Sequence, residues 1–274
     1  MRFAHISDLH LCRDPAQVAA VRDDTFEMVQ AIANDVHDIQ EILDCVIVSG
    51  DLTDDAEEDS FAQFEAMFSG LDVPILIIPG NHDGPAAYHG HKSRSGFFER
   101  ADITGRVVKV GGVRVLGLDT CVEAHTTGAL GPEAIAFVRR ELATPDEAPL
   151  VIVMHHPPFP TGQRVFDEIS KMDGSAAFAR LLRDAKVRPI ILCGHVHRAY
   201  SAAFVGAACF IGGTPSAPFA SALPFGDLDI RPSDEPYAYW IHQIDAAGDH
   251  VATTRPVARP PANPPAEQVK RHDD

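Results

Sequence analysis

Five short blocks in this chain bring acids, amides and imidazoles close together. They are D-L-H (Asp8, His10), G-D (Asp51), G-N-H-D (Asn81, His82, Asp83), H-H (His155, His156) and G-H-V-H (His195, His197). Taken singly, each block has an ordinary explanation, since Pro, Gly, Asn and Asp dominate turns and an Asp after a strand often caps a helix. Position argues otherwise. Each block directly follows an apolar run, and in an open α/β sheet the carboxyl ends of strands line the ligand crevice. Groups distant in sequence can therefore converge.

The donor types suit metal chemistry. Asp, Asn and imidazole are hard or borderline ligands and thiolates are absent, which favours Fe, Mn, Co or Zn over copper or a closed structural zinc. The i, i+2 spacing of Asp8/His10 and His195/His197 puts both members of a pair on one face of an extended segment. Asp8, His10, Asp51, Asn81, His155, His195 and His197 are more groups than one ion needs. Two divalent ions, about 3.5–4 Å apart, would use them all. One carboxylate must then bridge, and Asp51 is the unpaired candidate.

The elements that must position these groups follow from the apolar runs. "RFAHIS" (2–7), "CVIVS" (45–49), "PILIIP" (74–79), "LVIVMH" (150–155) and "PIILCG" (189–194) read as buried strands. Residues 17–40, 57–69, 131–143 and 173–185 read as helices, the third opened by Gly131-Pro132. Hairpins are expected over 106–119, turning at Gly111-Gly112, and over 199–213, turning near Gly206. "YAYWIHQID" (237–245) and "HVATTRPV" (250–257) read as a closing strand pair. The expected architecture is α/β, with two mixed sheets face to face and helices outside. A single domain over 1–257 is expected, with a cap or loop at about 214–236 and a Pro-rich, flexible tail over 258–274.

Composition limits the partners. The net charge is −16 with no basic cluster, which argues against a nucleic-acid duplex. An anionic small substrate would also be repelled unless bound cations reverse the sign locally. Five scattered cysteines, never in a C-x-x-C pair, read as reduced, mostly buried thiols. No apolar run approaches a membrane span, and "MRFAHISD" lacks signal-peptide features, so a cytoplasmic protein is expected.

The ordered set D-x-H, G-D, G-N-H-D, H and G-H-x-H, running from Asp8 to His197, resembles the calcineurin-like metallophosphoesterase superfamily. It is similar in particular to the bacterial class III cyclic-nucleotide phosphodiesterases and glycerophosphodiesterases. The resemblance implies a four-layer αββα sandwich and a binuclear centre, and leaves room for a homo-oligomer, dimer or higher. By position, Asp8, His10 and His197 would hold one metal, and Asn81, His155 and His195 the second, with Asp51 bridging. His82 would touch the phosphate and assist the leaving oxygen after attack by metal-activated hydroxide. The implied activity is hydrolysis of a small phosphodiester with Fe or Mn, or alternatively Zn or Co. The rival activity is a phosphomonoesterase on the same scaffold, shaped by 84–105 and 214–236. A non-catalytic binding module would not need so complete a ligand set.

Other residues have less definite readings. His156 is a near-site residue or an alternative ligand, and Asp83 a supporting group or a helix cap. Ser216 stands where some glycerophosphodiesterase relatives carry a polar substrate contact. His5 is expected in the core, and Cys12 and Cys193 as packing residues. His89 and His91 are expected on a mobile rim loop. His125, His242, His250 and His272 are expected at the surface.

Overall fold

Alternation along the strands sets the layers. In β1 (Arg2–Ile6), Phe3 and His5 turn one way while Ala4 and Ile6 turn the other, and all four are buried. A strand buried on both faces belongs to a sheet that is covered on both sides. The computed structural model describes residues 1–18, 21–219, 233 and 235–260. Most of the cap segment and the tail from 261 onward lie outside the described residues.

The remaining elements follow in order: α1 (Thr25–Ile39), β2 (Cys45–Val48), α2 (Glu58–Phe68), β3 (Ile75–Ile77), α3 (Pro85–Lys92), α4 (Gly96–Ala101), β4 (Val107–Val110) and β5 (Val113–Gly117). Then come β6 (Gly128–Ala129), α5 (Pro132–Ala143), β7 (Leu150–Val153), α6 (Arg164–Ile169), β8 (Met172–Asp173), α7 (Ser175–Asp184) and β9 (Ile190–Cys193). β10 (Tyr200–Phe204), β11 (Ala207–Ile211), β12 (Tyr237–Ile244) and β13 (His250–Val257) complete the chain. The first sheet has the order β13-β12-β1-β2-β3 and the second β10-β11-β9-β7-β5-β4. Both are mixed, with β1, β2 and β3 parallel in one and β11, β9, β7 and β5 parallel in the other.

Phe3, Ile47 and Leu76 of the first sheet meet Val115, Val151 and Leu192 of the second in an apolar layer between them. The opposite faces are covered by helices. Met28, Ile32 and Val36 of α1 and Phe61 and Phe64 of α2 pack with Val46 and Val48. Val138 and Leu142 of α5 and Phe178 and Leu182 of α7 pack with Ile152 and Ile191. This is the expected pair of sheets flanked by helices.

Three expectations need correction. The helix expected over 17–40 begins at Thr25, because the preceding chain is drawn aside by a bond from Arg22 N–H to Ser216 O (2.9 Å). The expected rim loop is largely helical. Pro85 occupies the first turn of α3, and Ser95 caps α4 by accepting from Phe98 N–H (3.2 Å). His91 is consequently buried, stacked on Phe61 and bonded to Glu58 (2.9 Å). His242 is also a core residue. It shares the inter-sheet side of β12 with Ile244 and stacks on Phe3.

Candidate metal centre

The loops leaving β1, β2 and β3 bring Asp8, His10, Asp51, Asn81 and His82 to one edge of the first sheet. Those leaving β7 and β9 bring His155, His195 and His197 from the second. The site straddles the seam between the sheets. Ligand atoms of Asp8, His10, Asp51 and His197 lie within 4.8 Å of one another, as do those of His155, His156 and His195. Asn81 Oδ1 lies 3.1 Å from His155 Nε2 and 2.8 Å from His195 Nδ1. All seven candidate ligands and His82 are thus brought together.

Five of these residues have left-handed backbone: Asp8 (φ 55°), His10 (φ 49°), Asp51 (φ 50°), His195 (φ 74°) and His197 (φ 55°). Such a conformation costs a non-glycine residue roughly 1–3 kcal/mol and persists only where the surroundings enforce it. Backbone bonds do so here. Asp8 N–H donates to Gly50 O (3.1 Å), His10 N–H to Asp51 O (3.0 Å) and His195 N–H to Asp8 Oδ1 (2.8 Å). Asp83, buried, accepts from the N–H groups of Gly80 (2.8 Å), Thr53 (2.9 Å) and Leu52 (3.2 Å), tying the second loop to the third. Close approach also fixes Gly80 and Gly194. A Cβ at the first would strike Asp51, and at the second Ser7 and Asp8.

The acceptors behind each imidazole settle its tautomer. His10 Nδ1–H donates to Asp54 Oδ1 (2.9 Å), and His197 Nδ1–H to Ala217 O (3.2 Å). Their bare Nε2 atoms then face each other at 2.9 Å. His155 Nδ1–H donates to Ser49 O (2.8 Å), which aims its Nε2 at Asn81 Oδ1 (3.1 Å) and at Asp51 Oδ2 (3.2 Å). Asp8 Oδ2 and Asp51 Oδ2 are buried without a hydrogen-bond partner. Buried acceptors facing acceptors are costly unless a cation lies among them. These residues fit metal ions.

His156 is engaged elsewhere. Its Nε2–H donates to Thr126 O (3.1 Å) and its Nδ1 accepts from Thr120 Oγ1 (2.7 Å), so neither nitrogen is open to a metal. Ser216 also has a structural setting. It is buried and its hydroxyl donates to Leu9 O, not to the site.

Two contributors escaped the sequence analysis. Asp54 Oδ1 lies 3.2 Å from His82 Nδ1 as well as accepting from His10. Its position three residues after Asp51, in G-D-L-T-D, was the available signal. Helix α6 is too short to show periodicity. It places Phe166 against Phe219, whose ring lies parallel to that of His197.

Electrostatics repeats the demand for positive charge. Burial would raise Asp51, but the charge and hydrogen bond of His155 and the charge of His82 hold it well below the usual carboxylate range. Burial would also suppress the charge of His82 and His155. The hydrogen bond to Asp54 and the charge of Asp51 nevertheless push His82 up to about 9, and Asp51 does the same for His155. His82, the more exposed, faces outward.

The family model for calcineurin-like phosphoesterases matches residues 1–199. The chain belongs to that family. This phosphoesterase is similar to a probable glycerophosphodiester phosphodiesterase of Arcobacter nitrofigilis, with 26% identity over 198 residues covering 72% of either chain. It is also similar to a probable cyclic nucleotide phosphodiesterase of Synechococcus sp., with 28% identity over 256 residues covering 92% of this chain and 96% of the relative. A dimetal phosphatase from Danio rerio superposes with a TM-score of 0.69 over 93% of this chain and 96% of its own, at 14% identity. That likeness concerns the fold alone. Among the described residues, no helix is long and apolar enough to cross a membrane.

Proposed function

We propose that the chain hydrolyses a small phosphodiester, of the cyclic-nucleotide or glycerophosphodiester type, with two divalent ions. Asp8, His10 and His197 would hold one ion and Asn81, His155 and His195 the other, with Asp51 shared. The observation that carries this reading is the placement of Asp51 Oδ2. Buried and without a hydrogen-bond partner, it lies 3.6 Å from His10 Nε2 and 3.2 Å from His155 Nε2, between the two histidine sets. Bound there, the ions would neutralise a diester phosphate and ease the ionisation of water. Oxygen and nitrogen donors without thiolates favour Mn or Fe, with Zn or Co as alternatives.

The chain's own part in the reaction centres on His82. Asp54 fixes its Nδ1 side through a carboxylate oxygen at 3.2 Å and a carbonyl at 3.3 Å. That leaves Nε2 to hold a proton and release it to the departing alkoxide. The His82 N–H donates to Asp51 Oδ1 (2.9 Å), so the proton donor and the shared carboxylate keep one geometry. Scattered reduced thiols suit a reducing compartment, and we place the enzyme in the cytoplasm.

The test is turnover of 2',3'- and 3',5'-cyclic nucleotides, glycerophosphodiesters and a simple monoester by one Mn-loaded preparation. Diester hydrolysis well above monoester hydrolysis is expected. The reverse order would replace the phosphodiesterase with a phosphomonoesterase.

A further inference from the structure

The layer between the sheets is apolar except at a few points, and His5 is one of them. Ile47 stands beside it in register and the layer includes Phe3 and Leu192, with the ring of His242 centred 5.8 Å away. An aliphatic side chain would pack at this position without the cost of burying an imidazole. His5 is fully buried, and its Nε2 lies 2.8 Å from Ser49 Oγ. Its Nδ1 makes no hydrogen bond of good geometry, although the Cys193 backbone interacts with the ring, so the bond to Ser49 is the well-formed one its side chain makes.

Ser49, also fully buried, immediately follows β2 and uses every polar group it has. Its N–H donates to Ile6 O (3.1 Å), its hydroxyl to Ser7 Oγ (2.8 Å), and its carbonyl accepts from His155 Nδ1–H (2.8 Å). A hydroxyl has one proton, so a Ser49 that donates to Ser7 must accept from His5. His5 therefore carries its proton on Nε2. A Cβ on Gly194 would strike Ser7, Asp8 and His155, so the three groups meet at one point.

We propose that His5 is a positioning residue for the metal centre. By donating to Ser49 it fixes both the carbonyl that orients His155 and the hydroxyl that supports the Ser7–Asp8 side. The inference rests on the metal reading of the centre given above. Groups one step behind a ligand set its tautomer and aim, and losing one commonly costs about 10–100-fold in metal affinity.

The experiment is a calorimetric titration of metal-free protein with Mn2+, with thermal midpoints and the imidazole 15N resonances recorded in parallel. His5→Phe keeps ring bulk but not the donor. It should fold and bind at least one ion about 10–100-fold more weakly, with a shifted His155 Nδ1–H resonance. His5→Gln, whose amide reaches about as far as Nε2, should recover most of that affinity. If His5→Phe fails to fold, Ser49→Ala carries the test, because it breaks the same link and should show the same loss. In protein that folds, adding His5→Phe to Ser49→Ala should cost little more.

Native affinity in His5→Phe, or in Ser49→Ala where that variant carries the test, would overturn the proposal. So would equal losses in His5→Phe and His5→Gln. If the unaltered protein took up no Mn2+, the metal reading itself would fall and this inference with it. Normal uptake with unaffected variants would sink this inference alone.

Discussion

Two pairs of histidines in this phosphoesterase approach nitrogen to nitrogen at the same 2.9 Å: His10 with His197, and His242 with His250. The rings of the first pair stand at 69° with centres 4.7 Å apart, and those of the second are nearly coplanar at 10° with centres 5.2 Å apart. The far nitrogens explain the difference. Asp54 and the Ala217 carbonyl take the far protons of His10 and His197, which leaves two bare nitrogens beside Asp51. The far nitrogen of His242 has no hydrogen-bond partner, and the rings around it are Phe3, Phe210, Trp240 and His5. There one nitrogen keeps its proton and the pair forms an N–H···N bond. The chemistry of a histidine pair is thus set by the acceptors behind it, not by its separation.

The comparison can be broken most forcefully at Asp51. Asp51→Asn removes a charge shared by both histidine sets, and turnover should fall by more than the ~10²–10⁴-fold that one proton donor supplies. Metal content should fall with it, and Asn81→Ala should do less damage. An Asp51→Asn protein that kept two equivalents of metal and near-native turnover would remove the reason for treating the two pairs differently.

His82→Ala comes next. A glycerol or sugar alkoxide needs a proton as it leaves, whereas nitrophenolate does not. The loss should be about 10²–10⁴-fold on natural-type diesters and clearly smaller on bis-nitrophenyl phosphate, with both metals retained. Equal losses on the two substrates would indicate phosphate binding instead of proton donation.

At the other pair, His242→Phe should leave kcat within about twofold and metal content unchanged, since His242 is no candidate ligand and a phenyl ring keeps its packing beside His5 (ring centres 5.8 Å apart). A loss of metal would mean that the inter-sheet pair reaches the centre after all.

The smallest effect is on the acid limb of stability. Burial drives His242 down to about 2, with His5 and His250 adding to the shift. The native state therefore resists a proton that the unfolded chain accepts near pH 6.5. Stabilisation is complete above that pH and declines as pH falls from there toward 2, by at most ~1.4 kcal/mol per pH unit. His242→Phe should show a shallower fall in thermal midpoint between pH 7 and 4.5. Parallel curves for the two proteins would show that the pair is not the acid-sensitive element.

The convergence of the candidate ligands could be read from the sequence because each follows an apolar strand, a pattern carried by neighbouring residues. Less visible were features that depend on partners. Asp54 becomes significant only when His10 and His82 stand on either side of it. The left-handed backbone at Asp8 or His195 is imposed by bonds to Gly50 and Asp8, from other segments. His242 belongs to no motif, and only its position two residues before Ile244, on the buried face of β12, marks it as a core residue. The burial of His91 depends on two short helices, opened by Pro85 and capped by Ser95, that a stretch so rich in Gly, Ser and His does not announce.

Because the candidate donors stand on two sheets, the alignment of those sheets sets the geometry of the proposed centre. Neither half of the sandwich holds a complete set: one carries Asp8, His10, Asp51, Asn81 and His82, the other His155, His195 and His197. A slip of one sheet against the other by a fraction of an ångström would change the donor separations directly. The side chains that prevent such a slip are Ile47, Val115, Val151 and Leu192, which lie within the strands and have no chemistry of their own. Trimming any of them would detune the centre while leaving every donor in the sequence, and activity would decline before the fold was lost. The hydrophobic layer acts as the mounting for the chemistry as well as the core of the protein.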